Sequence, residues 1–229
     1  QWPSAQHWFG TDKLGRDLFA RVCVGGRVSM EIGIIGALIT TVIGAIYGAI
    51  SAYVGGVVDS VMMRIVEIIS SIPYMIVVIM LSLMLGSSGV GSVMLALCIV
   101  GWCPTARLVR GQVLQLVGSD YIVAARTLGV SDFKIIMRHM LPNTMSVIIV
   151  NLTFRIPNYI FSEAFLSYVG LGISAPDTSW GMLASAGKET MFTEPYMMIF
   201  PALMIALTML SFTLFGDGLR DALDPKLRR

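Results

Sequence analysis

The chain has 229 residues, of which 55% are hydrophobic and only 13% are charged, and its mean hydropathy is +0.78. Soluble domains carry about twice that charged fraction, so the composition excludes an ordinary soluble protein and indicates an integral membrane protein. The formal net charge of +2 is too small to indicate nucleic-acid binding. Three cysteines without disulfide or metal spacing and only two histidines assemble neither a metal site nor a catalytic nucleophile, so we expect no intrinsic catalysis.

The N-terminal part, residues 1–29, is polar and aromatic and is interrupted by glycines. Tryptophan and phenylalanine side chains favour the headgroup level of a bilayer, so this part is predicted to be an external or interfacial segment. Residues 30–229 are then predicted to form a transmembrane domain.

Five stretches of that domain are long and apolar enough to cross a hydrocarbon core of about 30 Å at about 1.5 Å per helical residue. The predicted spans are 32–54, 62–85, 92–110, 144–166 and 195–216. We expect Pro73 to kink the second of them. The sequence therefore predicts an all-α fold, a polytopic bundle of membrane helices.

Small residues follow one stripe of the first span, namely Gly33, Gly36, Ala37, Gly44, Gly48 and Ala52. Lipid provides little hydrophobic drive between helices, so such a stripe usually marks close helix packing. We interpret it as a packing surface and not as a ligand site.

Basic residues concentrate after the third span and after the fifth. They are Arg107, Arg110, Arg126, Lys134 and Arg138 in the loop, and Arg220, Lys226, Arg228 and Arg229 in the tail. Because cytoplasmic loops carry an excess of Lys and Arg, both segments are predicted to be cytoplasmic. Five spans then put the N-terminus outside, and we expect a further span upstream of residue 1 to restore an even number.

The loop at 119–142 is the longest charged stretch between apolar ones. It is predicted to form two short helices that are joined at Gly129 and closed by Pro142. A glycine at such a junction ends a helix in the left-handed conformation at little cost. The candidate cap residues of the two helices are Ser119 or Asp120 and Ser131 or Asp132.

The fourth span is unusual because it contains Arg155, Asn158 and Glu163. A charged side chain at the bilayer centre costs about 2.5–3.5 kcal/mol on insertion scales, so these residues should face a translocation path or partner helices. A structural ion pair between Arg155 and Glu163 is one interpretation, and direct contact with a transported solute is another.

Four separated stretches carry a family pattern that extends over nearly the whole chain. They are FGTD-x-LGRD at 9–17, the loop with Ala124-Ala125-x-x-x-Gly129 and Leu141-Pro142, EAFLSYVGLG with APDTSWG at 163–181, and GDGLRDALDPKL at 216–227. Together they resemble the second permease subunit of ABC importers for dipeptides and oligopeptides, which has a fold of the type I importer permease kind. The loop resembles the EAA loop of that family, although Val123 stands where the family usually has Glu.

The resemblance implies that the loop at 119–142 is a cytoplasmic coupling loop that docks into a groove on an ATPase. The positions that the pattern assigns to this coupling are Ala124, Ala125, Arg126, Gly129, Asp132, Leu141 and Pro142. The resemblance also implies a second homologous permease subunit, two cytoplasmic ATPase subunits and an external solute-binding protein as partners. No cofactor is expected in this chain, since the ATPase subunits would bind ATP and Mg²⁺.

The implied location is the bacterial inner membrane, with several spans and a cytoplasmic C-terminus. The implied function is a non-catalytic subunit that forms half of the translocation path for peptides. One alternative is an ABC permease for nickel or another small solute. A second alternative is a secondary transporter that uses Arg155 and Glu163 as a coupling pair.

Overall fold

The computed structural model describes residues 1–86 and 89–223, and the regular structure within these ranges is helical. The helices are α1 Leu18–Val54, α2 Gly56–Ser70, α3 Tyr74–Leu85, α4 Val90–Gly101, α5 Cys103–Leu116, α6 Asp120–Thr127, α7 Asp132–Ile135, α8 Leu141–Tyr168, α9 Trp180–Lys188 and α10 Tyr196–Leu223. A π-helical turn, Ile136–Met140, lies between α7 and α8. The predicted all-α fold is confirmed.

Several of these helices suit a membrane. Four helical stretches of the described residues are long and apolar enough to cross one, or five if the bent pair α2 and α3 counts as one span. The four are Leu18–Val54, Val90–Leu116, Asp132–Tyr168 and Tyr196–Leu223. The bend between α2 and α3 ends at Pro73, where a proline restricts the residue before it to non-helical geometry.

Two boundaries differ from the sequence-based expectation. Helix α1 begins at Leu18, well before the predicted span at residue 32. Asp17 accounts for this start, because its Oδ2 accepts the N–H of Ala20 at 2.8 Å, as an N-terminal cap does. Pro142 does not close the loop, since it lies inside the continuous helical stretch Asp132–Tyr168, directly after the π-helical turn.

Part of two predicted segments lies outside the described residues. These parts are positions 87–88, between the second and third predicted spans, and positions 224–229 of the basic tail, which include Lys226, Arg228 and Arg229.

The contacts divide the chain into two compact units. The first comprises Gln1–Ala37, Met75–Leu97 and Phe154–Phe215, and the second comprises Leu38–Tyr74, Cys98–Thr153 and Gly216–Arg229. A core of alanine, branched and methionine side chains holds the second unit together around Tyr53. Its buried members are Ala45, Ala49, Ala52, Tyr53, Val109, Val113, Ile122, Ala125, Ile135, Ile136, Met140, Leu141 and Ile148.

The small-residue stripe of α1 is a packing surface in both units, as predicted. In the first unit, a Cβ added at Gly36 would lie 2.9 Å from the ring of Tyr159. In the second unit, a Cβ at Gly48 would overlap the carbonyl oxygen of Ala106 on α5. Larger residues at these positions would force the helices apart, and close approach is the use that lipid-embedded helices make of glycine.

Asp12 organises the irregular segment that precedes α1. Its carboxylate accepts the backbone N–H groups of Leu14 and Arg16 at 2.9 Å each. It also accepts the guanidinium groups of Arg16 and Arg21 at 2.7 Å each. Burial raises the pKa of Asp12, but these hydrogen bonds, chiefly from Arg16, outweigh it and hold the pKa below its usual value of 3.8.

We therefore expect this segment to loosen in acid. A depressed pKa means that the carboxylate contributes stability above pH 3.8 and loses it as the pH falls through the folded-state value. Hydrogen exchange at the Leu14 and Arg16 amides, corrected for intrinsic rates, should be less protected at about pH 3 than at about pH 5. Asp12→Asn should remove this pH dependence, and equal protection at both pH values in the unmodified protein would contradict the prediction.

Candidate functional site

The loop at 119–142 turns at Gly129, which has a left-handed φ of +72°. The N–H of Val130 donates to the carbonyl oxygen of Ala125 at 3.1 Å, and the N–H of Gly129 donates to that of Arg126 at 3.0 Å. These two bonds form a Schellman motif, which satisfies the last carbonyl groups of a helix. The predicted turn at Gly129 and the short helix before it are thus present, but the second helix is not short, because α7 continues through the π-helical turn into α8 as one stretch, Asp132–Tyr168.

The predicted caps are only partly present. Ser119 and Ser131 occupy the N-cap positions of α6 and α7 with extended backbone, but neither side chain makes a capping hydrogen bond. The Ser119 hydroxyl donates instead to the carbonyl oxygen of Leu116 at 2.6 Å. The prediction of the helix starts is therefore right, whereas the prediction that these two hydroxyls accept orphan N–H groups is wrong.

The inner face of the loop packs into the core of the second unit. Ile122 and Ala125 on α6 and Ile135 on α7 are buried against α1, α5 and α8, and Leu141 joins them. Two residues that the family pattern assigned to coupling, Ala125 and Leu141, thus serve to anchor the loop. Their small or apolar side chains fit a protein interior and are not available to a partner.

The outer face of the loop carries large apolar side chains in solvent. Leu128 is 82% exposed and Phe133 is 74% exposed, on either side of Gly129. The remaining residues of the predicted coupling set are also exposed, namely Ala124, Arg126, Gly129, Asp132 and Pro142. An apolar patch with a polar rim is typical of a protein–protein contact. Sequence reasoning missed Leu128 and Phe133, although two bulky apolar residues beside a predicted turn in a polar stretch were a usable signal.

Tyr53, near the end of α1, contacts both helices of the loop. Its hydroxyl donates to Oδ1 of Asp132 at 2.5 Å and accepts from Nε of Arg126 at 3.2 Å. The Arg126 guanidinium also lies over the Tyr53 ring, 4.4 Å from its centroid, in a cation–π contact. Sequence reasoning missed Tyr53, because nothing in the local pattern of α1 indicates what the folded chain brings against it.

The polar residues of α8 have different environments. The Arg155 guanidinium lies 5.6 Å from the centroid of the Tyr159 ring. Asn158 is exposed, and its Nδ2 donates to the carbonyl oxygen of Phe154 at 2.8 Å. Glu163, by contrast, is completely buried within the first unit. Asn158 is thus exposed, Arg155 is half-buried and Glu163 is inaccessible to a neighbouring solute or chain.

Three serine hydroxyls surround the Glu163 carboxyl group. Oε1 accepts from Ser167 at 2.8 Å and from Ser179 at 2.6 Å, and Oε2 accepts from Ser29 at 3.2 Å. Each serine oxygen in turn accepts one backbone N–H, from Ile173, Met182 and Trp180 respectively. The carboxyl group thus completes three relays that hold the segment before and within α9 to α8 and α1.

The expected ion pair between Arg155 and Glu163 is not present, because serine hydroxyls hold both carboxyl oxygens of Glu163. Along α8 the two residues are also separated by eight positions, a rise of about 12 Å. Glu163 therefore acts as a helix-packing polar residue, and the hydroxyl groups compensate for the cost of burying it.

Comparison with known proteins assigns the family. The model of the family described as "Binding-protein-dependent transport system inner membrane component" matches residues 31–229. The chain belongs to this family. Its members are transport components of a membrane, in agreement with the several apolar helices, and the sequence-based resemblance is confirmed.

Similar permeases of this family cover nearly the whole chain. The chain is 50% identical over 228 residues to the dipeptide transport system permease protein DppC of Bacillus subtilis (strain 168), covering 99% of the chain and 71% of that protein. It is 48% identical over 227 residues to the oligopeptide permease OppC of the same strain, covering 99% and 74%. It is 43% identical over 226 residues to the glutathione permease GsiD of Escherichia coli O1:K1 / APEC, again covering 99% and 74%.

A solved structure has the same fold. An inward-facing structure of the MetNI methionine ABC transporter matches with a TM-score of 0.70 at 18% identity, over 90% of this chain and 97% of that one. At this identity the match concerns the fold alone, and it confirms the bundle of the ABC importer permease kind. The permease chain is therefore a multi-pass membrane protein.

Proposed function

We propose that this permease is the transmembrane subunit of an ATP-driven importer for peptides, that it forms half of the translocation path, and that it docks an ATPase subunit through the outer face of its 119–142 loop. The observation that carries the proposal is this outer face, where Leu128 and Phe133 are exposed on a loop whose inner face is anchored in a core. The peptide cargo is proposed from the relatives, which are permeases for dipeptides, oligopeptides and glutathione.

The proposed assembly has three kinds of partner. A second, homologous permease completes the path, and two cytoplasmic ATPase subunits bind ATP and Mg²⁺. A solute-binding protein delivers the peptide from outside. The C-terminus and the 119–142 loop lie in the cytoplasm in this arrangement, in agreement with their Lys and Arg content.

The mechanism follows from preferential binding to one state. ATP favours the closed ATPase dimer, so it favours the permease conformation that fits that dimer, and the population shifts towards it. The loop carries this preference into the second unit because its inner face shares a core with α1, α5 and α8. A secondary transporter is not favoured, because the buried Glu163 is enclosed by serine hydroxyls and offers no open ion site.

Uptake by the native host tests the cargo. We expect deletion of the coding gene to abolish uptake of radiolabelled di- and tripeptides and to leave nickel uptake unchanged. Return of the gene should restore peptide uptake. Loss of nickel uptake with normal peptide uptake would overturn the proposed cargo and favour the alternative permease.

Substitution on the outer face tests the docking. Leu128→Asp and Phe133→Asp each place a charge where an apolar contact should form, and hot-spot residues of interfaces typically cost about 2 kcal/mol or more when lost. The ATPase subunits should therefore co-purify with these variants at less than about a tenth of the normal yield. The matched control is Phe192→Asp, because Phe192 is 100% exposed and lies in the other unit, outside the loop. Normal ATPase yields from both loop variants would contradict docking at this face.

A further inference from the structure

We propose that Tyr53 is a positioning residue through which the coupling loop moves α1. This inference rests on the proposed function and deepens it, because it names the contact that links the ATPase-docking loop to a membrane helix. Tyr53 is only 6% exposed, and it lies outside the four stretches that carry the family pattern.

On the loop side, the Tyr53 hydroxyl contacts one residue of each loop helix. Arg126 belongs to α6 and Asp132 belongs to α7, so they come from the two helices that turn at Gly129. Both side chains converge on one hydroxyl group, which accepts from Arg126 and donates to Asp132. A change in the angle between α6 and α7 would break at least one of these bonds. The Tyr53 hydroxyl is therefore sensitive to the shape of the loop.

On the other side, the end of α1 that carries Tyr53 contacts α2 and α5. About one and a half turns before Tyr53, Gly48 packs directly on the backbone of α5 at Ala106 and Arg110. Ser51 donates to Oδ1 of Asp59 on α2 at 2.5 Å. The Arg110 guanidinium donates to both oxygens of the same carboxylate, at 2.6 and 2.5 Å. The bidentate pair of Asp59 and Arg110 joins α2 to α5. The end of α1 is attached to these two helices through the Ser51 hydrogen bond and the close approach of Gly48.

The loop, Tyr53 and the end of α1 thus form a contiguous physical connection to α2 and α5. A displacement of the loop pulls on Tyr53, and Tyr53 lies on the helix that Ser51 and Gly48 join to α2 and α5. Loss of the hydroxyl should leave the loop docked on the apolar core, because Ile122 and Ile135 remain buried there. The ATPase should then still bind and hydrolyse ATP, but its movement should reach the membrane helices less completely.

Tyr53→Phe is the direct test, because it removes the hydroxyl and keeps the ring beneath Arg126. The complete complex, reconstituted in proteoliposomes with its binding protein, should hydrolyse about 5- to 10-fold more ATP per radiolabelled dipeptide imported, since allosteric couplings are typically worth factors of about 5–150. The matched control is Tyr47→Phe. Tyr47 lies on the same helix, and its hydroxyl donates to the carbonyl oxygen of Met62 at 2.9 Å and not to the loop.

The ratio of ATP to peptide separates this role from a structural one. A structural defect lowers the amount of complex, so ATP hydrolysis and import fall together and the ratio stays constant. Asp132→Ala removes the acceptor of the same hydrogen bond and should raise the ratio as well, without adding to the effect of Tyr53→Phe in the double variant. It serves as the decisive variant if Tyr53→Phe does not accumulate.

The outcomes distinguish the two proposals. If the unmodified complex fails to import the dipeptide, the proposed function is wrong. If the unmodified complex imports it and Tyr53→Phe, or Asp132→Ala in its place, keeps the same ratio as Tyr47→Phe, the role of Tyr53 is wrong while the proposed function stands.

Discussion

Gly129→Val is expected to lower peptide uptake by at least about tenfold while the permease still inserts and accumulates normally. The residue has a φ of +72°, which a β-branched side chain adopts only at a cost of about 1–3 kcal/mol. A Cβ at this position meets no atom within 4 Å, so the effect comes from backbone strain and not from a clash within the chain. The strain falls on the turn that sets the angle between α6 and α7.

Two consequences of this strain act on coupling. The Schellman bonds at Gly129 and Val130 would weaken, so α6 would end less sharply. The methyl groups of valine would also protrude between the exposed Leu128 and Phe133, in the proposed contact with the ATPase. Both consequences arise before Asp132, outside the four candidate membrane-spanning stretches, so insertion should be unaffected.

The measurement compares uptake of a radiolabelled dipeptide with the amount of permease in the membrane. Gly118→Val is the matched control, since Gly118 is also exposed with no atom near its Cβ position but has no positive φ. Gly129→Ala should be milder than valine, because alanine lacks the branched methyl groups. Full uptake by Gly129→Val would exclude the turn at Gly129 as a determinant of coupling.

Glu163→Leu is expected to prevent normal accumulation of the permease. Leucine removes the acceptor of three serine hydroxyls in a site that is completely buried. A buried polar group left without its partner costs about 1–3 kcal/mol, and three such losses are comparable with the net stability of a domain. The segment that leads into α9 would lose its attachment to α8 and α1.

Glu163→Gln separates hydrogen bonding from side-chain shape. Its amide oxygen can accept from Ser167 and Ser179, and its amide nitrogen can donate to the oxygen of Ser29. We therefore expect glutamine to retain most of the accumulation that leucine loses. The measurement is the amount of permease in isolated membranes and its thermal unfolding in detergent. The control is Glu189→Gln, because Glu189 is exposed and pairs with Lys13 at 2.6 Å at the surface. Equal accumulation of the leucine variant and the unmodified permease would contradict a packing role for the three relays.

The structure of the coupling loop was predictable from its local sequence in part. The turn at Gly129 was predictable, because a helix that ends in the left-handed region leaves a mark in the sequence itself, a glycine between two serines at helix N-cap positions. Which residues of the loop face a partner was not predictable in the same way. Ala124 and Ala125 are neighbours of the same type, yet one is exposed and the other belongs to the core.

The polar residues of α8 show more clearly which contacts the sequence could not predict. The sequence alone established that Glu163 has to avoid lipid, because the cost of an isolated charge in a bilayer does not depend on the details of the fold. It could not identify the partner. The nearest opposite charge in the chain, Arg155, suggested an ion pair, whereas the folded chain brings up Ser29 and Ser179, which lie 134 residues before and 16 residues after Glu163.

The sequence by itself thus determined the membrane environment, the helical class, the small-residue packing stripe and the family. Each of these follows from composition, from hydropathy over about 20 residues or from short motifs, which are local properties of a chain. Only the tertiary structure decided that Tyr53 contacts both helices of the loop, that Leu128 and Phe133 stay exposed, and that serines enclose Glu163. These features depend on contacts between residues far apart along the chain, and such contacts form only when the helices pack.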